Sequence, residues 1–175
     1  MTICVDSVEY KCWHEVGHAT VCLYLGGDVE CIEFLDGDAR AHARTRCCDI
    51  PPEIERRVAC GGFAAEVYLL KNGYAEQAPG DKRDIDRIPF DSAAIDCLDF
   101  WGREVESYDG FTDAETREFV DHAIGSDHRG GVVPIIAQHF SRMQEVVREL
   151  RDAKRIEGRR IKELLRLGIP RSGTG

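Results

Sequence analysis

Two histidines four residues apart, with a glutamate directly after the first, carry the clearest chemistry in the chain: His14-Glu15-Val16-Gly17-His18 is an H-E-x-x-H sequence. On a helix, four residues turn the backbone by about 400°, so the two imidazoles stand about 40° apart, one turn above the other. From there both reach one ion at the Zn–N distance of roughly 2.0–2.1 Å. Glu15 is offset by about 100°, beside the ion and not on it. That placement suits a carboxylate that takes a proton from zinc-activated water and delivers it to a leaving amine. The sequence therefore predicts a Zn²⁺ cofactor, His14 and His18 as metal ligands, and Glu15 as catalytic base.

A catalytic zinc needs a third protein ligand and keeps its fourth position open. Spacing alone does not choose that ligand. Glu66 and Asp84, the latter in Gly80-Asp81-Lys82-Arg83-Asp84-Ile85, are the two acids that stand out. Without a metal, Glu66 reads as a buried carboxylate paired to an arginine, and Asp84 as a helix cap or a surface ion pair. A purely structural zinc would fill the fourth position from the protein, with His42, His122, His128 and His139 available. His139 falls near an apolar stripe and reads as a core histidine; His122 and His128 read as surface residues flanking a loop. Adjacent Cys47 and Cys48 with nearby His42 fit no standard zinc spacing.

The elements that must position these groups follow from hydropathy and turn residues. Asp6 or Ser7 caps a first helix, with Glu9 as a capping-box partner for Asp6. Val8, Cys12, Val16, Ala19, Cys22 and Leu23 form one buried face, both histidines lie off it, and Gly26-Gly27 ends the helix. Residues 29–46 change period and read as a β-hairpin around Asp36-Gly37-Asp38. A second helix opens at Asp49, with Pro51 and Pro52 in its first turn, and runs past Leu69 to Asn72-Gly73. Gly61 and Gly62 inside it cost helix stability and predict close approach of another helix. A short stretch near Asp81 is interrupted by Pro89. Further helices are predicted over residues 92–101, from a Thr112 cap through Ile124, and along the stripe Ile136, Phe140, Met143, Val147 and Leu150. Gly158 divides that stripe from a last helix with Ile161, Leu164 and Leu165. The expected fold is mainly α with one small β-ribbon after the H-E-x-x-H helix.

Composition narrows the function classes. The chain has 175 residues, 43% hydrophobic and 31% charged, with a net charge of −9. An acidic surface repels phosphate backbones and anionic lipid, which argues against nucleic acid and membrane surfaces as partners. No apolar run approaches the roughly 20 residues that span a bilayer, and the start of the chain lacks the pattern of a signal peptide. The expected location is the cytoplasm. The eight cysteines form no C-x-x-C pair and are expected as reduced thiols.

The motifs together resemble the protease domain of the FtsH-type, membrane-anchored, ATP-dependent zinc proteases. The resemblance rests on Trp13-His14-Glu15-Val16-Gly17-His18-Ala19, on the ribbon that follows, on Gly61-Gly62-Phe63-Ala64-Ala65-Glu66, on Gly80-Asp81-Lys82-Arg83-Asp84-Ile85, and on Ile156 to Leu165. It implies one peptidase domain over residues 1–175, with the zinc-site core in 1–110 and a C-terminal helical part in 111–175. It also implies Asp84 as the third zinc ligand, with Glu66 beside the first helix in a supporting place. The sequence departs from the family at Arg83, where the family has asparagine, and at Pro89. It holds no G-x-x-x-x-G-K-[ST] and no membrane segment, so ATP dependence and the hexamer are not carried over. An ATPase partner acting in trans is left open, as is the oligomeric state. The expected function is a zinc-dependent metallopeptidase acting on unfolded or flexible polypeptide. The alternatives are a regulatory protease that cleaves one partner and an inactive zinc-binding pseudo-protease that serves as an interaction module.

Overall fold

The computed structural model describes residues 2–35, 43–93, 96–102, 112–125 and 131–168. The predicted turn at Asp36-Gly37-Asp38, and His42 and His128, lie outside them. The elements run β1 (Ile3–Cys4), α1 (Val8–Leu25), β2 (Asp28–Phe34), β3 (Ala43–Cys48), α2 (Glu55–Ala59), α3 (Gly61–Lys71), β4 (Ala75–Glu76), α4 (Ile88–Ala93), α5 (Asp96–Trp101), α6 (Asp113–Ile124), α7 (Val133–Ala153), β5 (Arg155–Glu157) and α8 (Gly158–Leu165). The chain is mainly helical with a small sheet, as the sequence predicted. No helix among the described residues is long and apolar enough to cross a membrane.

Helix α1 is the centre of the molecule. Ser7 caps it, its side chain accepting from the Tyr10 N–H at 3.1 Å, and Gly26 ends it with φ 99°. The cap is thus Ser7, since Asp6 sits in the left-handed region at φ 63°; Glu9 instead pairs with Arg151 at 3.0 Å. Burial is the larger surprise. Tyr10, Cys12, Trp13, His14, Val16, Gly17 and every residue from Ala19 to Leu23 are buried. The single apolar face expected from spacing is a helix wrapped on almost all sides, because α3, α7 and the sheet each cover a different flank.

The α1–α3 contact explains the glycines. A Cβ on Gly17 would meet the Gly61 carbonyl oxygen at 2.3 Å, and one on Gly61 would meet the His18 Cα at 2.7 Å. Backbone lies against backbone there, as the paired glycines of the second helix predicted. That helix does not run unbroken from Asp49. Asp49 is left-handed at φ 49°, Pro51 and Pro52 precede the first helical residue, and α2 and α3 divide at Cys60.

β2 pairs antiparallel with β3, with a bulge between Val29 and Cys31, close to the predicted ribbon. β5 pairs antiparallel with the other edge of β2, giving the order β3-β2-β5. Neither β5 nor the parallel β1–β4 pair was foreseen; strands of two or three residues carry too little pattern to read. Gly158 lies so close to the Val29 carbonyl that no side chain fits, which lets α8 start directly from β5.

Pro89 corrects another expectation. It is the second residue of α4, where the first-turn N–H has no intrahelical acceptor and the ring costs little, so it starts a helix where an interruption was predicted. Within the helix expected over residues 92–101, 92–93 are helical at the end of α4 and 96–101 form α5; 94–95 lie outside the described residues. Thr112 caps α6 in a full capping box with Glu115. The α7 stripe of Ile136, Phe140, Met143, Val147 and Leu150 is buried throughout.

Candidate metal centre

His14 and His18 project from α1 toward the groove between α3 and the start of α5. Their Nε2 atoms stand 3.1 Å apart. The outer nitrogen of each ring is held by an acceptor. His14 Nδ1 lies 2.8 Å from Glu66 Oε1, and His18 Nδ1 lies 2.8 Å from the Val58 carbonyl oxygen. With Nδ1–H donating outward, each Nε2 faces the shared space, where its lone pair is available to a cation once the ring is neutral.

The third group there is Asp96, the first residue of α5. Its Oδ2 is 3.4 Å from His14 Nε2 and its Oδ1 is 3.2 Å from His18 Nε2. Ligand atoms at about 2.0–2.1 Å around a tetrahedral ion stand about 3.3 Å apart; the nitrogen pair is near that spacing, each nitrogen faces a different Asp96 oxygen, and taken one atom per residue the three groups lie within 4.8 Å of one another. Asp96 Oδ2 is buried with no hydrogen-bond partner among the described residues, and such an atom is costly unless a cation or donor meets it. His14, His18 and Asp96 could hold a metal ion, and they are the only such group among the described residues.

Asp84, expected as the third ligand, is elsewhere. It is exposed and its Oδ1 accepts from the Asp86 N–H at 3.1 Å. Neighbouring Arg83 is turned away into ion pairs with Asp81, at 2.7 Å, and with Asp6. Spacing did not find Asp96, although one signal was present. Ala93, Asp96, Cys97 and Phe100 recur at three and four residues, so an acid sits on an apolar stripe. All four are buried.

Glu66, the other acidic candidate, supports the site from behind. It is 1% exposed, holds His14 through Oε1, and accepts the Tyr10 hydroxyl through Oε2 at 3.0 Å. Gly62 makes room for the ring: a Cβ there would meet His14 Nε2 at 2.3 Å. Glu15 is half-buried, and Thr45 of β3 donates its hydroxyl to the Glu15 carboxylate Oε2 and to its carbonyl oxygen, both at 2.8 Å.

The electrostatics suit a cation. Burial alone would lower both histidines, but the Asp96 carboxylate outweighs it, joined at His14 by Glu66, and holds His14 well above the ordinary range and His18 above it. Burial alone would raise Asp96, but His18 and His14 outweigh it and hold its carboxyl far below the usual range. Burial raises Glu66 despite donors from His14, Ser92 and Tyr10. Two buried carboxylates facing two imidazoles are balanced by positive charge, from protons or from a divalent ion.

The remaining candidates do not join the group. His139 is buried, stacks edge-on to Tyr24 and has no hydrogen-bond partner on either nitrogen; burial lowers its pKa. His122 is half-buried rather than on the surface, with Nδ1 2.9 Å from the Glu118 carbonyl. Cys47 and Cys48 belong to no metal-binding group among the described residues, and all eight cysteines are free thiols. Compared with models of known protein families and with curated protein sequences, the chain matches none.

Proposed function

We propose that the chain is a zinc-dependent metallopeptidase that hydrolyses peptide bonds in unfolded or flexible polypeptide, with His14, His18 and Asp96 as metal ligands and Glu15 as general base. The observation that carries the reading is the convergence of two preoriented Nε2 atoms and a buried, partly unpartnered carboxylate on one point, with the Glu15 carboxylate held on the same helix. Two imidazoles and one carboxylate form a donor set suited to zinc, and a three-ligand set leaves the open position that catalysis requires.

Zinc, when bound, supplies Lewis acidity that acidifies water and polarises a carbonyl. The chain's own residues do the rest. Glu66 and the Val58 carbonyl fix the ring planes, so the Nε2 atoms need no reorganisation on binding. Thr45 holds Glu15 Oε2 from the strand, leaving the other carboxylate oxygen to take the proton of the attacking water. Glu15 then returns that proton to the amine nitrogen as the C–N bond breaks. The likeness to the FtsH-type protease domain supports the same assignment for His14, Glu15 and His18, and places no ATP requirement on it.

The test is cleavage of a reduced, alkylated protein by the zinc-loaded chain without ATP, with Glu15→Gln as matched control. Cleavage by the natural chain is expected, with a loss of roughly 10²–10⁴-fold in the variant at unchanged zinc content. Full zinc occupancy with no cleavage by either protein contradicts the reading and favours the pseudo-protease.

A further inference from the structure

Tyr10 has no place in the scheme above, yet it is among the most completely buried side chains of the molecule, at 1% exposure. It lies on α1 four residues before His14, so the two side chains share one helix face. Both reach the same carboxylate on α3: Tyr10 donates to Glu66 Oε2 at 3.0 Å and His14 Nδ1 meets Oε1 at 2.8 Å. The Ser92 hydroxyl of α4 adds a third hold on Glu66. Glu66 therefore ties the histidine helix to the segment that leads to Asp96.

The geometry points to Tyr10 as a positioning residue for the metal site, acting on His14 through Glu66. The inference rests on the metal reading above. A carboxylate hydrogen-bonded to a metal-ligating imidazole fixes its tautomer and orientation, and loss of such a partner lowers metal affinity by roughly 10–100-fold. Here the carboxylate is itself fully buried, with no solvent to hold Oε2 in place. Without the Tyr10 hydroxyl, Oε2 loses a donor and Glu66 is free to rotate toward Ser92, turning Oε1 away from His14. The phenol thus sets the direction in which His14 Nε2 points without touching the ion.

The test is zinc affinity by chelator competition, together with the visible spectrum of the Co²⁺-loaded protein, in a double-mutant cycle. Tyr10→Phe keeps the ring and removes only the hydroxyl. It is expected to weaken Zn²⁺ binding by about 10-fold and to shift the Co²⁺ bands. In a Glu66→Gln background, where the charged acceptor is gone, the same change is expected to alter affinity by less than about twofold, since residues acting through a shared partner are non-additive. Equal losses in both backgrounds, or no loss in either, would overturn the assignment. If Tyr10→Phe fails to fold, fluorotyrosine placed at position 10 keeps the ring and changes only the donor strength of the same hydroxyl, and Co²⁺ bands unmoved by it would overturn the assignment. His14→Ala separates the two levels of the argument. Zinc binding that survives it unchanged removes the metal site itself, whereas zinc lost in His14→Ala but unaffected by Tyr10→Phe removes only the role of Tyr10.

Discussion

The two histidines and the aspartate that faces them are held by opposite means. His14 and His18 belong to an 18-residue helix, pressed backbone to backbone against α3 through Gly17 and Gly61 and covered on nearly every flank. Asp96 is the first described residue of α5 and faces the histidines only through the packing of that helix. α5 packs mainly against α2, and one turn on from Asp96 the Phe100 ring lies edge-on to Phe119 of α6 at 5.1 Å. One half of the site is set by main-chain contact that allows no adjustment. The other is set by packing of side chains in the core. The placement of Asp96 therefore depends on tertiary packing far more than that of the two histidines does.

The comparison breaks most severely at Phe100. Phe100→Ala empties a buried aromatic position and is expected to cost about 3–5 kcal/mol. It should loosen α5 and weaken metal binding, while the His14–Glu66 and His18–Val58 bonds persist. Calorimetry with NMR of the histidine ring nitrogens checks this; loss of both histidine hydrogen bonds would show that the halves are not separable. The matching change on the other side is Gly62→Ala. Its methyl group would stand where His14 Nε2 is, so the ring must turn, and zinc affinity should fall on the order of 100-fold with little loss of helix content. Chelator competition decides, and unchanged affinity would mean α3 yields at that contact.

Protons sharpen the comparison. Both histidines have raised native pKa values, because Asp96, and at His14 also Glu66, outweigh the lowering by burial. Their contribution to the stability of the metal-free protein is fully present below the ordinary histidine value of about 6.5 and is lost as pH rises through the raised native values. Asp96, depressed by His18 and His14 against burial, contributes above about pH 3.9 and loses that contribution as pH falls toward its native value. The metal-free melting temperature should therefore fall as pH is taken above about 6.5. Zinc replaces those protons, so its affinity should rise over the same range. Thermal melts with chelator and with zinc at several pH values test both slopes, and a metal-free protein that gains stability in that range contradicts the account. The smallest effect lies outside both halves: Thr112→Ala removes the α6 capping box and should cost about 1 kcal/mol without changing zinc affinity.

The same division decides how much could be read in advance. His14, Glu15 and His18 are legible because four residues of helix suffice to place them. Gly61 and Gly62 are legible because glycine inside a helix is costly without a close neighbour. The ribbon, the Thr112 cap of α6 and the stripe of α7 are local patterns of adequate length. Asp96 is not legible in that way, since only the tertiary fold brings α5 to α1. The resemblance directed attention to Asp84, in a segment that here makes turns pinned by Arg83, Asp81 and Asp6. The burial of α1 was equally hidden. Spacing reported its strongest apolar face and could not report that α3 would cover the face carrying the histidines.

The central claim is tested most directly by zinc bound per chain in Asp96→Ala and Asp84→Ala, measured side by side after dialysis against a weak chelator. The account predicts full occupancy in Asp84→Ala and in the natural chain, with zinc lost from Asp96→Ala. Zinc retained by Asp96→Ala and lost from Asp84→Ala would contradict it, and would return the third ligand to the residue that the family resemblance implied.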